Sequence, residues 1–445
     1  MNRIIRLHGG RHQDRPKRQR WFAIRGAAFG ALVALCLALL LPASLHAQRA
    51  DPVASSRQQI LVLLRMPPAH YRPNGAYGGG YGDDPAHGAR RRFAARIAHD
   101  HGLTLVTDWP MPLIGLDCYV MAVPDGRSTE AVAALVSKDP GVDWAEPMHV
   151  YRTQGGASAA QHSAPPAAGR GDPLFAVQPA ARQWRLGELH ALFTGKGITV
   201  AVIDSRIEAG HPDLAGQISL SADFATGGTA GAELHGTGIA GVIAAKADNG
   251  VGIVGVAPRA HLMALRACWQ LAAQPPASPV TVCDSLSLAK ALHFAIEHNA
   301  QVINMSLSGP QDRLLGRLIE IALARGQAVV GAFDRAVPGG GFPASWPGVI
   351  AVSDEATNAA GVYTAPGRDV MTTQPGGHWY LVNGGSYAAA HVSGLVALLR
   401  EKRRADGPVA FVSTRAGGGT IDACATLLGP SMRCDCNCTL AVGRH

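Results

Sequence analysis

At 445 residues, with 47% hydrophobic and only 16% charged residues, the chain can build a substantial core and is not a disordered polymer. The net charge of +8 does not mark a nucleic-acid binder: much of the Lys/Arg excess precedes Arg25, and no RNA-type aromatic motif accompanies the rest. Fifty-three glycines and 29 prolines point instead to a loop-rich fold.

In chain order, Arg3, Arg6, Arg11, Arg15, Lys17, Arg18, Arg20 and Arg25 precede an uncharged stretch over 26–45, and small residues lead to Ala47. That is the layout of a secretory signal peptide, residues 1–47, cleaved after Ala47. A run of about 20 apolar residues can also span a bilayer, so a retained anchor stays open, although Pro42 and the small residues after it favour cleavage. Either way the remainder is expected to be exported, secreted or periplasmic. No stable membrane partner is expected unless the signal is retained.

Residues 48–151 read as strand, helix, strand, strand, helix, strand. "QQILVLL" is a buried strand, followed by a Gly/Tyr loop over 71–81. A helix over 90–101 is capped by Gly102, and "LTLV" and "LDCYVMAV" are strands. A helix over 128–138 takes Ser128 as N-cap, and "VDWAEP" closes the set. The order βαββαβ is that of a small split-βαβ, ferredoxin-like α+β domain. Residues 152–172 are rich in Ala, Gly, Ser and Pro without apolar periodicity, and read as an exposed, cleavable linker.

Over 173–405 nearly continuous β-branched runs ("GITVAVID", "AQVINMSL", "QAVVGAF", "GVIAVSD") alternate with helices over 286–297, 312–325 and 387–400. Strands buried on both faces read this way, so the fold class is α/β: a doubly wound parallel sheet with helices on both faces. Residues 406–445 read as an irregular, cysteine-bearing tail. Outside the signal and residues 48–151 there are six cysteines, an even number that suggests disulfides in an exported protein. Cys268 and Cys283 flank a Pro-rich loop and are expected to pair, whereas the pairing of Cys424, Cys434, Cys436 and Cys438 stays open. No cofactor is implied, and without an acidic cluster of adequate spacing no metal site is expected.

Three segments carry chemistry. "VAVIDSRIEAGHPDL" puts Asp204 at the carboxyl end of a buried parallel strand, where ligands bind in open α/β sheets. "ELHGTGIAGVIAA" puts His235 just before a buried helix, and "NGGSYAAAHVSGLVALL" puts Ser386 at the turn into another. Free helix N–H groups there can stabilise an oxyanion. Each residue alone has a plainer reading: a turn-capping Asp, a core His, a Ser N-cap. Together, in the order Asp…His…Ser, they form a nucleophilic constellation.

The wording of these segments resembles the subtilase family, whose motifs run close to D-[ST]-G, H-G-T-x-x-A-G and G-T-S-x-A-x-P, with "GVAP" and "INMSL" as further landmarks from about residue 173 to 400. The resemblance implies a serine endopeptidase acting on peptide or protein substrates through Asp204, His235 and Ser386, with Ser306, Leu307 and Ser308 pairing with the substrate backbone. The upstream domain resembles the family's inhibitory pro-peptide, an intramolecular partner. Four departures stand out: Arg206 for Gly, Gly385 for Thr, Ala390 for Pro, and "GAFDRA" where the family has A-A-G-N. The last puts Asp334 or Arg335 in place of the Asn that donates to the oxyanion, which implies a slow or narrow peptidase. A non-catalytic binding protein of the same fold and a membrane-anchored processing protease are the alternatives.

Overall fold

The computed structural model describes residues 52–65, 85–157, 171–228, 231–271, 279–403 and 408–429. The signal segment, the 71–81 loop and Cys434, Cys436 and Cys438 lie outside them.

The first layer comprises β1 (Gln59–Arg65), α1 (Pro85–Asp100), β2 (Thr104–Met111), β3 (Leu116–Ala122), α2 (Thr129–Val136) and β4 (Val142–Pro147), in sheet order β2-β3-β1-β4. This is the expected βαββαβ order. Helix α1 begins five residues before the predicted start, and Ser128 caps α2 by accepting the N–H of Ala131 at 3.2 Å. Strand β1 reads as a continuous apolar run because both its faces are covered. Ile60, Val62 and Leu64 pack with α1 and α2 residues such as Ile97 and Val136. Leu61 and Leu63 instead join Cys118, Val120 and Trp144 in a cluster that continues into the large sheet's helices.

After it come β5 (Val150–Thr153) and β6 (Gly156–Ala157). The expected linker therefore does not begin at Arg152: β-branched and aromatic residues in "HVYRT" extend the strand order, and Arg152, Thr153, Gly156 and Ala157 are paired in sheets.

The large sheet contains β7 (Thr199–Asp204), β8 (Ile218–Asp223), β9 (His261–Arg266), β12 (Val302–Met305), β14 (Ala328–Ala332), β15 (Ile350–Ser353), β16 (Val362–Thr364), β19 (Ser413–Arg415) and β20 (Gly418–Ile421). Their order is β19-β20-β16-β15-β14-β12-β7-β9-β8, and every pairing except β19/β20 is parallel. Helices α3 (Leu234–Ala244) and α6 (Gly385–Arg403) cover one face, where Val200 and Val202 meet Ile239, Ile243 and Leu395. Helices α4 (Ser285–Glu297) and α5 (Arg313–Ala324) cover the other, where Ala201 and Ile203 meet Leu288, Leu292, Leu314 and Leu318. Alternation along β7 thus sends successive residues to opposite layers.

The tail is more regular than expected. Strand β20 joins β16 in parallel, helix α7 (Ala423–Leu428) follows, and Ile421 and Leu427 lie in the same core as α6. Cys424 is disulfide-bonded. The short strands β10 (Cys268–Gln270), β11 (Thr281–Asp284) and β13 (Leu307–Ser308), and the hairpin of β17 (Val370–Gln374) and β18 (His378–Asn383), rim the sheet's carboxyl edge. Cys268 and Cys283 face each other across β10/β11 and form the expected disulfide.

Candidate active site

Asp204 ends β7 and is 1% exposed. Its Oδ1 accepts the N–H of Ser205 at 2.6 Å, and its two oxygens lie 2.8 and 2.9 Å from Nδ1 of His235. A carboxylate only accepts, so Nδ1 carries a proton, and in the neutral imidazole Nε2 is then the acceptor. That nitrogen is buried and makes no hydrogen bond among the described residues.

The approach of α3 to β7 depends on Gly236. A Cβ there would lie 2.2 Å from the carbonyl oxygen of Ser205, so no other residue could follow His235 at this spacing. Arg206, by contrast, has no left-handed backbone that would call for glycine. Its N–H donates to Glu233 Oε2 at 2.8 Å and its guanidinium pairs with Asp223, so this departure is absorbed at the surface.

Ser386 is the second residue of α6 and is fully buried. Beneath it, Ser306 Oγ lies 3.0 Å from both the Ser386 carbonyl oxygen and Asn304 Oδ1 and shares its one proton between them, while Asn304 Nδ2 donates to Ser393 Oγ at 2.9 Å. This network fixes the start of α6 to the end of β12. The Ser386 hydroxyl donates to the carbonyl of Ser306 at 2.9 Å, and not to His235. Contacts between a catalytic hydroxyl and its base commonly tighten only during reaction. Tyr387, the next residue, has its ring 5.8 Å from the imidazole.

What buries Ser386 is the chain's own strand. Between β11 and β13, β5 runs antiparallel to both, with Tyr151 opposite Cys283, Arg152 opposite Val282 and Ser308, and Thr153 opposite Leu307. Beyond a gap of two residues, Gly156 and Ala157 pair with Asn383 and Val382 of β18. In between, the N–H of Ser386 donates to the carbonyl oxygen of Gln154 at 3.0 Å, and the N–H of Gln154 donates to Ser386 Oγ at 2.9 Å. Leu307 and Ser308 thus pair with the chain's own extended segment, and Ser306 instead contributes its carbonyl to the Ser386 hydroxyl.

The two candidates for the missing oxyanion donor separate. Arg335 turns outward to Glu355, which also pairs with Arg368. Asp334 stays at the site, its Oδ1 accepting from Ala336 N at 2.9 Å and its Oδ2 from Gln154 Nε2 at 2.7 Å. Among the described residues, one donor reaches the Gln154 carbonyl, the Ser386 N–H. Sequence reasoning missed Gln154 and Asn304; the strand character of "HVYRT" was the signal for the first.

A cavity of about 1080 Å³ lined by Lys196, Gly197, Ala260 and His261 lies at the amino ends of β7 and β9. It is at the opposite edge of the sheet from Asp204.

A family model described as the subtilase family matches residues 195–414. Subtilisin NAT of Bacillus subtilis subsp. natto is 31% identical over 310 residues, covering 64% of this chain and 71% of that protein. M-protease of Shouchella clausii (strain KSM-K16) is 35% identical over 223 residues, covering 47% of this chain and 55% of that one. Among solved structures, fervidolysin from Fervidobacterium pennivorans, a keratinolytic enzyme related to subtilisin, superposes with a TM-score of 0.60 at 22% identity. That match covers 84% of this chain and 61% of fervidolysin, and it speaks to fold alone.

Proposed function

The chain belongs to the subtilase family of serine endopeptidases, and from that membership we propose that Asp204, His235 and Ser386 are its catalytic triad. It is exported and made as a precursor whose residues 48–151 inhibit it. The observation that carries this reading is the Asp204–His235 pair, which leaves Nε2 unpartnered, beside a serine whose N–H already holds a peptide carbonyl. Ser386 attacks that carbonyl, His235 takes the hydroxyl proton and returns it to the leaving amine, and Asp204 holds the tautomer and stabilises the imidazolium.

Self-inhibition is supported by β5, which fills the rim between β11 and β13 that an extended substrate would occupy. Glu146 adds to the docking by accepting the N–H groups of Arg313 and Leu314, both at 3.0 Å, at the start of α5. Export fits the Cys268–Cys283 disulfide, since such bonds persist in oxidising compartments. The test is kinetic: Asp204→Asn should retain the fold and lower kcat by about 10⁴. A variant that keeps parental kcat would sink the triad assignment. A protein that binds peptides but turns none over would favour the non-catalytic alternative, to which the single oxyanion donor points.

A further inference from the structure

We propose that Asp334 selects the substrate side chain on the acyl side of the cut bond, favouring one that donates a hydrogen bond, and that Gln154–Gly155 is the chain's own bond recognised this way. The proposal rests on the triad assignment above and names the substrate that triad meets first.

The bond is identified by backbone contacts. Gln154 presents its carbonyl oxygen to the Ser386 N–H and its own N–H to Ser386 Oγ, so its carbonyl carbon lies beside the nucleophile. Sheet pairing holds the strand on both sides of that peptide, at Thr153 and at Gly156. The residue after the bond has almost no room. A Cβ on Gly155, whose φ is +135°, would lie 2.6 Å from the carbonyl oxygen of Asn383. One on Gly384 opposite would lie 2.5 Å from the Gly155 Cα. Two glycines pass each other where side chains would force the strand out.

Asp334 reads the other side. Its Oδ1 is occupied by the Ala336 N–H and its own N–H is bound to Gly340, which aims Oδ2 at the Gln154 side-chain amide. An ionised carboxylate offers only acceptors, so glutamine, lysine or arginine satisfies it. Glutamate would set two carboxylates together, and leucine would leave Oδ2 without that partner. Arg335 does not neutralise Asp334, being paired with Glu355. The substrate's donor thus has a second effect. It draws off negative charge next to the carbonyl oxygen that becomes an oxyanion, so the preference should appear in kcat as well as KM.

In the step itself, Ser386 Oγ bonds to the Gln154 carbonyl carbon while His235 takes its proton. The C–N bond to Gly155 breaks as that proton passes to the new amine. Water then hydrolyses the ester, leaving Gln154 with a free carboxylate and restoring Ser386.

The test uses the full-length chain. The first Ser386-dependent product should begin at Gly155, read by mass spectrometry; a first cut elsewhere overturns the assignment. Gln154→Glu should slow self-cleavage about 100-fold relative to Gln154→Lys. In an Asp334→Lys background the order should reverse, a result a merely structural Asp334 would not give. Equal rates for the Glu and Lys precursors, or an order indifferent to Asp334→Lys, would refute the selection. Should Asp334→Lys misfold, Asp334→Asn should still shrink the Lys-over-Glu ratio about tenfold, and an unchanged ratio refutes it equally. If Ser386→Ala is processed as fast as the parent, the triad reading itself falls, and this inference with it.

Discussion

Tyr151 offers a graded test of how the upstream domain is held in the cleft. Its ring is fully buried, with Phe342 at 6.1 Å between centroids, and a Cβ added to Gly309 would lie 2.4 Å from it. Its hydroxyl donates to Asp312 Oδ2 at 3.1 Å, while Ser285 Oγ donates to the same oxygen at 2.6 Å. Tyr151→Phe removes one donor from a buried carboxylate that keeps another, so its cost belongs at the lower end for a charged hydrogen bond, about 1.5 kcal/mol or roughly tenfold. Tyr151→Ala empties an aromatic site and should cost about 3–5 kcal/mol, on the order of 10²–10³-fold. The assay dilutes the self-cleaved complex and follows the appearance of peptidase activity as the pro-region leaves. Release should quicken about tenfold for Phe and at least about 100-fold for Ala, if the losses fall on the off-rate. Equal effects of the two variants, or parental release in both, would refute the packing argument.

Docking should also depend on pH. Burial, then the nearby Asp312 carboxylate, push Glu146 up to about 7. Burial alone would lower His149, but its hydrogen bond and charge contact with Asp312, aided by Glu146, outweigh it and raise the group. Both bind a proton more tightly when docked. Glu146's contribution is complete below its free value of 4.5 and is lost as pH rises through about 7; that of His149 is complete below 6.5 and is lost above that. Release measured across this window should therefore accelerate with pH, and Glu146→Gln should flatten the profile. Reducing the Cys268–Cys283 disulfide, 15 residues apart, should cost roughly 3 kcal/mol. Because β11 also pairs with β5, reduction should lower Tm and speed release together. Gly394→Ala puts a Cβ 2.5 Å from that of Val256 and should cost about 1–3 kcal/mol by thermal denaturation. Gly187→Ala, with its nearest atom 3.8 Å away, should cost less.

The parallel sheet was legible because residues such as those of β7 and β12 are apolar on both faces, a pattern few other environments produce. The upstream domain was legible through its element order. Its docked face was not: Leu61, Leu63 and Cys118 read as ordinary core, and nothing local says that their partners are α4 and α5 residues. Asp204, His235 and Ser386 could be singled out by their order along the chain and by the motifs around them, each residue alone having a plainer reading. Gln154 itself could not, since "HVYRT" signals only the strand before it and its contact is with Ser386, 232 residues away. For Asp334 the sequence exposed a conflict, a carboxylate where a donor was wanted. The geometry shows how the side chain is turned: toward Gln154 Nε2.

On the proposed triad, Ser386 becomes a nucleophile once the strand over it has been cut and has left. A fluorophosphonate offered to full-length protein before and after self-cleavage measures this directly. Covalent label should be absent from the uncut chain, appear on Ser386 in step with pro-region release, and never appear in Ser386→Ala. Label on another residue, or none on a processed and folded protein, would contradict the account.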